Sequence, residues 1–438
     1  MRKIVFLSLI CLFAQMAVAQ QSRDLLLSGP MVGYTEMREA LLWVQTNGSA
    51  KVQFRYQAQE EGAPVFATEP YFTRKEEAFT ARFVCDLVKP GKKYAYRLLI
   101  NDQEVQLPYE LSFKTPPLWQ YRTDPPEMNI ALGSCVYIND TTFDRPGRPY
   151  GGGYEIFSAI HEKKPDMMLW LGDNNYLREV DFYSTTGIVH RYTHSRNVPE
   201  MQPLLASTSN YAIWDDHDYG TNDSDRSYRE KNTTLAAFQL FWGNPSYGLG
   251  HGGITSMFQH GDADFFMLDN RYFRTPNNRH DGPRTVLGEE QLQWFLDALV
   301  SSQSTFKFVM IGGQVLNTYE VFENYVNLAP NERRKILDFI VEHKIKNVIF
   351  LTGDRHHSEM SMMERDGLKI YDFTSSPLTS GTHDALNEPN LLRVEGSHVA
   401  VRNFGMMNIS GPRLERKVRF SFHDATGKEL WTYEIAAQ

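Results

Sequence analysis

The chain has only three cysteines in 438 residues, and no internal repeat or low-complexity segment. Beyond its first residues it has no apolar run near the roughly 20 residues that cross a bilayer. So few cysteines exclude a disulfide-stapled scaffold. The lack of biased segments excludes collagen-like and disordered chains. Positive charge is also short: 45 Lys and Arg against 53 Asp and Glu leave a formal net charge of −8. Tracking a nucleic-acid backbone or an anionic membrane by bulk charge needs clustered Lys and Arg, so neither partner is expected, and any phosphate must be held locally. What is present is 42% apolar and 13% aromatic residues, enough for sizeable cores. At roughly 150 residues per domain, the length suggests two or three domains.

Arg2 and Lys3, the apolar run Ile4–Met16 and the small residues Ala17-Val18-Ala19 read as a secretory signal peptide, residues 1–19, cleaved near Ala19. The expectation is an exported protein, periplasmic or secreted, with no transmembrane anchor. Cys11 is preceded by Ser8-Leu9-Ile10, which lacks the small residue expected ahead of a lipidated cysteine. Export leaves Cys85 and Cys135. Cys85 sits in the alternating stretch Phe79–Leu87 and reads as a small buried hydrophobe. Cys135 follows an apolar run and a glycine and needs a separate explanation. A bridge between them stays open, although they fall in different expected domains.

From Leu27 to Phe113 short alternating runs are separated by turn residues. Ala40–Val44, Lys51–Tyr56, Ala78–Leu87, Tyr94–Ile100 and Leu111–Phe113 are strand-like, and this spacing predicts a small β-sandwich over residues 20–115. Leu87–Arg97, with Lys89-Pro90-Gly91 before Tyr94 and Tyr96, resembles the turn and tyrosine-bearing strand of an immunoglobulin-like or fibronectin type III module. Pro116-Pro117 and Pro125-Pro126 bracket a stiff segment, 116–127, read as a linker. From 128 to 438 buried-strand runs (Met128–Leu132, Met167–Leu171, Tyr211–Trp214, Phe265–Leu268, Phe306–Ile311, Val348–Leu351) alternate with helical ones (Tyr154–Lys164, Thr234–Trp242, Glu289–Val300, Asn331–His343). In the third helix Leu292, Phe295, Leu296 and Leu299 fall at i, i+3, i+4 and i+7. This is an α/β domain, with Val399–Arg402, Lys417–His423 and Glu429–Ile435 expected to add strands at the end.

The chemistry is expected where those strands end. The runs lead into Gly133-Ser134-Cys135, Gly172-Asp173-Asn174-Asn175-Tyr176, Asp215-Asp216-His217-Asp218, Asp269-Asn270-Arg271, Gly312-Gly313-Gln314 and Gly353-Asp354-Arg355-His356-His357. Ligands bind beyond the carboxyl ends of strands in α/β sheets. Alone, a Gly-Asp after a strand is a turn and a single histidine is a surface residue; their recurrence at one topological position makes a site. Three acids and a histidine directly after an apolar strand would also repel one another without a cation. Cys135, Asp173, Tyr176 and His356 offer thiolate, carboxylate, phenolate and imidazole, a set suited to a trivalent or borderline ion. Asp216, Asp354 and Gln314 offer oxygens, suited to a harder divalent ion such as calcium, magnesium or manganese. His190, His194, Arg145 and Arg148 are placed on polar loops, equally readable as surface or as pocket.

Gly172–Tyr176, Trp214–Asp218 and Leu351–His356, together with Leu268–Arg274, resemble the metal-binding blocks of the PhoD-like alkaline phosphatases and phosphodiesterases. These are calcineurin-like metallophosphoesterases, similar in site chemistry to purple acid phosphatases. Gly29–Gly33 through Thr115-Pro116-Pro117 resembles the family's N-terminal β-sandwich, so the likeness spans nearly the whole mature chain. It implies a four-layer αββα metallophosphoesterase sandwich behind an immunoglobulin-like module. By position, Cys135, Asp173, Tyr176 and His356 would hold iron(III), with Asp173 bridging. Asp216 and Asp354 would hold a second ion, calcium in many members, with manganese, magnesium or zinc as other candidates. His217 would face the leaving group.

The expected reaction is hydrolysis of a small-molecule, lipid or polymer phosphate ester. Two cations lower the pKa of water, the resulting hydroxide attacks phosphorus, His217 donates a proton or hydrogen bond to the departing oxygen and Arg271 neutralises non-bridging oxygens. A phosphodiesterase or phospholipase-like enzyme is the near alternative. A non-catalytic surface- or carbohydrate-binding protein would not need the strand-end residues, and a serine or cysteine hydrolase lacks a nucleophile elbow at Cys135.

Overall fold

The computed structural model describes residues 23–438; the expected signal peptide, with Cys11, lies outside them. Among the described residues no helix is long and apolar enough to cross a membrane. Cys85 and Cys135 are buried free thiols, so no bridge joins them. The chain divides into two compact units. The first runs to Leu118 and also takes in Met201–Ser209; the second holds the remainder.

In the first unit Leu26–Thr35, Ala40–Thr46 and Thr80–Cys85 pair antiparallel in succession. Lys51–Ala58 and Lys93–Ile100 centre a separate sheet, flanked by short strands. Period-2 alternation sets which face is buried: Val52, Phe54 and Tyr56 point inward while Arg55 is exposed, as a half-buried strand requires. These residues meet Leu42, Val44 and Phe83 in one core, where Phe54 packs edge-on against Phe83 at 5.2 Å. The Tyr94 hydroxyl accepts from the Lys89 amide at 2.7 Å and closes the Lys89-Pro90-Gly91 turn. Segment 201–209 is tied in by Tyr96, whose hydroxyl donates to the Ala206 carbonyl at 2.7 Å.

The second unit holds two mixed sheets. In one, Met128–Gly133 pairs in parallel with Met167–Leu171 and antiparallel with Asn403–Ser410, beyond which lie Lys417–Asp424 and Glu429–Ala436. In the other, Ala263–Met267, Phe306–Met310, Val348–Thr352 and Leu368–Thr374 run parallel, with Ser256–His260 and Glu359–Arg365 as antiparallel edges. Phe373 of the second sheet stacks on Phe422 of the first at 4.5 Å. The helices Glu289–Ser301 and Pro330–Glu342 cover the second sheet, burying Leu292, Phe295 and Leu296 and, from the other helix, Ile336 and Ile340 against Phe266, Val309 and Phe350.

Two expectations change. His190 and His194 lie on a helix, Thr185–Arg196, rather than on loops. Its buried face is Ile188, Arg191, Tyr192, Ser195 and Arg196, so apolar periodicity is missing; Arg191 is neutralised by Asp181 at 2.8 Å. The closing strand is Asn403–Ser410, not Val399–Arg402; Val399 makes only an isolated bridge to Ser358.

Candidate metal centre

The carboxyl ends of the two sheets' parallel strands bring the expected ligands together. Gly172, at φ +95°, lets the turn after Met167–Leu171 lie against the start of the Asp215–Asp218 segment; a Cβ there would sit 2.8 Å from Asp215 Cβ. Four expected ligands have left-handed backbones: Cys135 (φ 61°), Asp173 (51°), Asp354 (66°) and His356 (58°). Such conformations are unfavourable for residues with a Cβ and persist where the surroundings impose them, typically at functional sites.

Donor atoms of Cys135, Asp173 and His356 lie within 4.8 Å of one another. Cys135 Sγ is 3.6 Å from Asp173 Oδ2, and the Tyr176 hydroxyl is 3.3 Å from the same oxygen and 3.4 Å from His356 Nε2. His356 Nδ1 is 2.7 Å from the Gly381 carbonyl, to which it donates, leaving the Nε2 lone pair facing the cluster, the orientation a metal-binding imidazole needs. Beside this group stand two further sets within the same 4.8 Å: Asp173, Asp216 and His217, and Asp215, Asp216 and Asp354. Asp173 and Asp216 therefore link two potential ion positions. The His217 amide donates to Asp173 Oδ1 at 3.2 Å and to Asp216 Oδ1 at 2.9 Å.

Two further expected site residues are engaged with buried partners. Gln314 is buried with its amide engaged: Nε2 donates to Glu359 Oε1 at 2.8 Å and Thr374 Oγ1 at 2.9 Å, and its oxygen accepts from Asn317 at 2.8 Å. Arg271 has a 0% exposed side chain and is ion-paired with Asp215 and Glu323, so it holds acids in place.

Burial drives the electrostatics. It lifts Asp173 and Asp354 well above the carboxylate range, reinforced by Asp216 beside Asp173 and by Asp215 beside Asp354. It raises the Cys135 thiol and the Tyr176 phenol, lowers the His356 imidazole and pushes His217 down to about 4. Asp216 is held below its ordinary value; burial lifts it, but His217 and Arg271 outweigh that. Asp215 Oδ2 is buried without a hydrogen-bond partner. Acids forced toward neutrality beside uncharged imidazoles are what a cation would reverse, since it favours every deprotonated ligand at once. The donor set fits the expected pair, sulfur, phenol and imidazole on one side and carboxylates on the other.

A cavity of about 430 Å³ opens on the cluster, lined by Asp216, His217, Asp354 and His356 and by Tyr150 and Phe322 at its rim. A second, of about 470 Å³, shares Tyr150, His217 and Asn222 with it. A larger one of about 910 Å³, lined by Gly381, Arg402 and Asp424, holds none of the clustered ligands. Sequence reasoning left out Tyr150 and Glu323, although donor atoms of Glu323 and Asp223 gather around Asp216. They come from loops without an apolar run to flag them. Asn174 and Asn175 are structural: both backbone amides donate to Asp218, which also accepts from the Asp215 amide at 3.0 Å.

The family described as PhoD-like phosphatase matches residues 134–418, and a domain of unknown function, DUF7800, matches 23–118. Alkaline phosphatase D of Bacillus subtilis (strain 168) is 24% identical over 371 residues, 70% of this chain; the chain spans 59% of that relative's length. Two solved structures share the fold. One is described as that of PhoD (TM-score 0.74, 18% identity, 95% of this chain and 93% of that one). The other is a purple acid phosphatase from yellow lupin seeds (TM-score 0.69, 10% identity, 93% and 74%). With the family's model matched across 134–418, over the strand ends that carry Cys135, Asp173, Asp216, Asp354 and His356, the chain belongs to the PhoD-like phosphatase family.

Proposed function

We propose that this protein is a metal-dependent phosphoric ester hydrolase with a dinuclear centre. The observation that carries the reading is the convergence of Cys135, Asp173, Tyr176 and His356 beside Asp216 and Asp354 in one buried cluster opening on a cavity. Cys135, Asp173, Tyr176 and His356 would hold iron(III). Asp216 and Asp354, with Asp173 shared, would hold calcium or another hard divalent ion. When bound, the ions neutralise phosphate charge and lower the pKa of water.

The chain's own residues do the remainder. His217 is fixed by its backbone bonds to Asp173 and Asp216 and by stacking on Tyr176, and its ring borders the cavity. There it donates a hydrogen bond to the departing oxygen. Arg271 and Asp218 act as positioning residues, the first through Asp215 and Glu323, the second through the backbone of Asn174 and Asn175. The basic, apolar and small-residue pattern of residues 1–19 supports export.

The test is the initial hydrolysis rate of a chromogenic phosphate monoester and its matching diester, before and after metal stripping, with bound metals counted and His217→Ala as control. Metal-dependent turnover lost in His217→Ala is expected, and the preferred ester separates monoesterase from diesterase. No turnover and no bound metal would sink the reading.

A further inference from the structure

We propose that the cavity beside His217 selects a leaving group bearing a second phosphate, which Arg178 binds. The inference rests on the phosphoesterase reading and on His217 facing the leaving group.

His217 lines two cavities of different character. The one on the cluster side contains Asp216, Asp354 and His356. The other, about 470 Å³, contains Tyr137, Tyr176, Arg145, Arg148 and Arg178 and none of the clustered acids. Its one carboxylate, Asp144, accepts from the Tyr137 hydroxyl at 2.7 Å and from the Asp140 amide at 2.8 Å. With the scissile phosphate at the acids' side, the group that leaves past His217 enters this second cavity.

Arg178 is built to receive an anion there. Its guanidinium lies over the Tyr137 ring at 4.6 Å and the Tyr176 ring at 5.6 Å, and Nε donates to the Tyr137 hydroxyl at 3.1 Å. Among the described residues no carboxylate forms an ion pair with it, so its terminal N–H groups keep the fork that matches phosphate oxygens. Contact with two adjoining rings, whose centroids are 5.1 Å apart, restricts its rotamers before any ligand arrives, which lowers the entropic cost of binding. Arg145 is committed to Glu179 at 2.8 Å, and with Arg148 adds positive charge at the rim. A chain with net charge −8 thus sets Asp216, Asp223, Glu323 and Asp354 on one side of His217, where Arg355 is paired with Glu388, and Arg145, Arg148 and Arg178 on the other. That polarity orients a doubly phosphorylated substrate one way round.

The test compares propyl phosphate with propane-1,3-diyl bisphosphate on the metal-loaded full chain. Charge-assisted bonds of this kind predict kcat/KM about tenfold or more higher for the bisphosphate, falling to near parity in Arg178→Gln. Equal treatment of the two esters by the wild-type protein, or a preference that survives in Arg178→Gln, overturns the proposal. Should Arg178→Gln fail to fold, Arg178→Lys, which keeps the charge and loses the fork, is expected to show an intermediate preference; an unchanged one overturns the proposal. If the loaded protein hydrolyses neither of these monoesters nor the chromogenic monoester and diester, it is the phosphoesterase reading that has failed. Calorimetry with propylphosphonate and propane-1,3-diylbisphosphonate then decides the subsite: tighter binding of the second, lost in Arg178→Gln, upholds it, and equal binding overturns it.

Discussion

The phenol of Tyr176 lies stacked on the imidazole of His217, 4.2 Å between ring centroids and 29° between ring planes. One ring belongs to the proposed iron set and the other to leaving-group departure, so the two functions share one wall.

Tyr176→Phe separates them. The variant keeps the stack and removes only the hydroxyl that reaches Asp173 Oδ2 and His356 Nε2. The expected outcome is loss of iron affinity by about tenfold or more with little change in melting temperature, read by metal analysis after dialysis and by thermal unfolding. Full iron retention would remove Tyr176 from the ligand set.

Arg271→Met probes the buried charges behind the centre. Burial opposes ionisation of Glu323, yet Arg271 and Arg274 hold its carboxyl well below the usual range. Removing Arg271 strands Glu323 and Asp215 in the interior. Breaking a buried pair from one side costs about 3–5 kcal/mol, to be read by urea unfolding. Adding Glu323→Gln is expected to recover part of the loss, because partners in one network are not additive.

Much of this architecture is legible in the sequence because apolar pattern and burial coincide. Leu292, Phe295, Leu296 and Leu299 fall on one helical face and are buried, and the ligand-bearing strand ends follow unbroken buried runs such as Met167–Leu171 and Val348–Thr352. Where pattern and burial part, reading fails. The helix Thr185–Arg196 buries two arginines, and its stability rests on an ion pair to Asp181 that no local pattern announces. Arg271 and Gln314 also sit at strand ends, and their buried side chains are engaged with Glu323 and Glu359. Position along a strand gives the neighbourhood; which way a side chain points depends on partners distant in the chain.

Gly312→Ala tests how tightly the second acid set is packed. A Cβ at Gly312 would stand 2.3 Å from Asp215 Oδ2 and 2.5 Å from Asn270 Nδ2. Asp215 caps the Asp216–Tyr219 helix, so displacing it shifts Asp216. The expected result is a stability loss of about 1–3 kcal/mol together with weaker binding of the divalent ion, measured by unfolding and by metal titration. Unchanged stability would show that the pocket around Asp215 yields.

The last prediction concerns acid stability and lies outside the ligand cluster. Glu359 is wholly buried; Oε1 accepts from Gln314 at 2.8 Å and Asn390 at 2.9 Å, and Oε2 is ion-paired with Arg393. Burial alone would raise its pKa, but His357 and Arg393 outweigh it and bring it from the ordinary 4.5 down to about 2. Because the folded value is the lower one, the unfolded chain takes up the proton first as pH falls. The stabilisation is therefore complete above about pH 4.5 and disappears as pH drops through that value toward 2, amounting to about 3 kcal/mol. Glu359→Gln has no such proton to bind. Urea unfolding of metal-free wild type and Glu359→Gln at steps between pH 6 and pH 2 should show the wild type more stable at the top of the range, with the gap closing across the window. A gap that stays constant with pH would mean that Glu359 does not keep its charge in the folded protein.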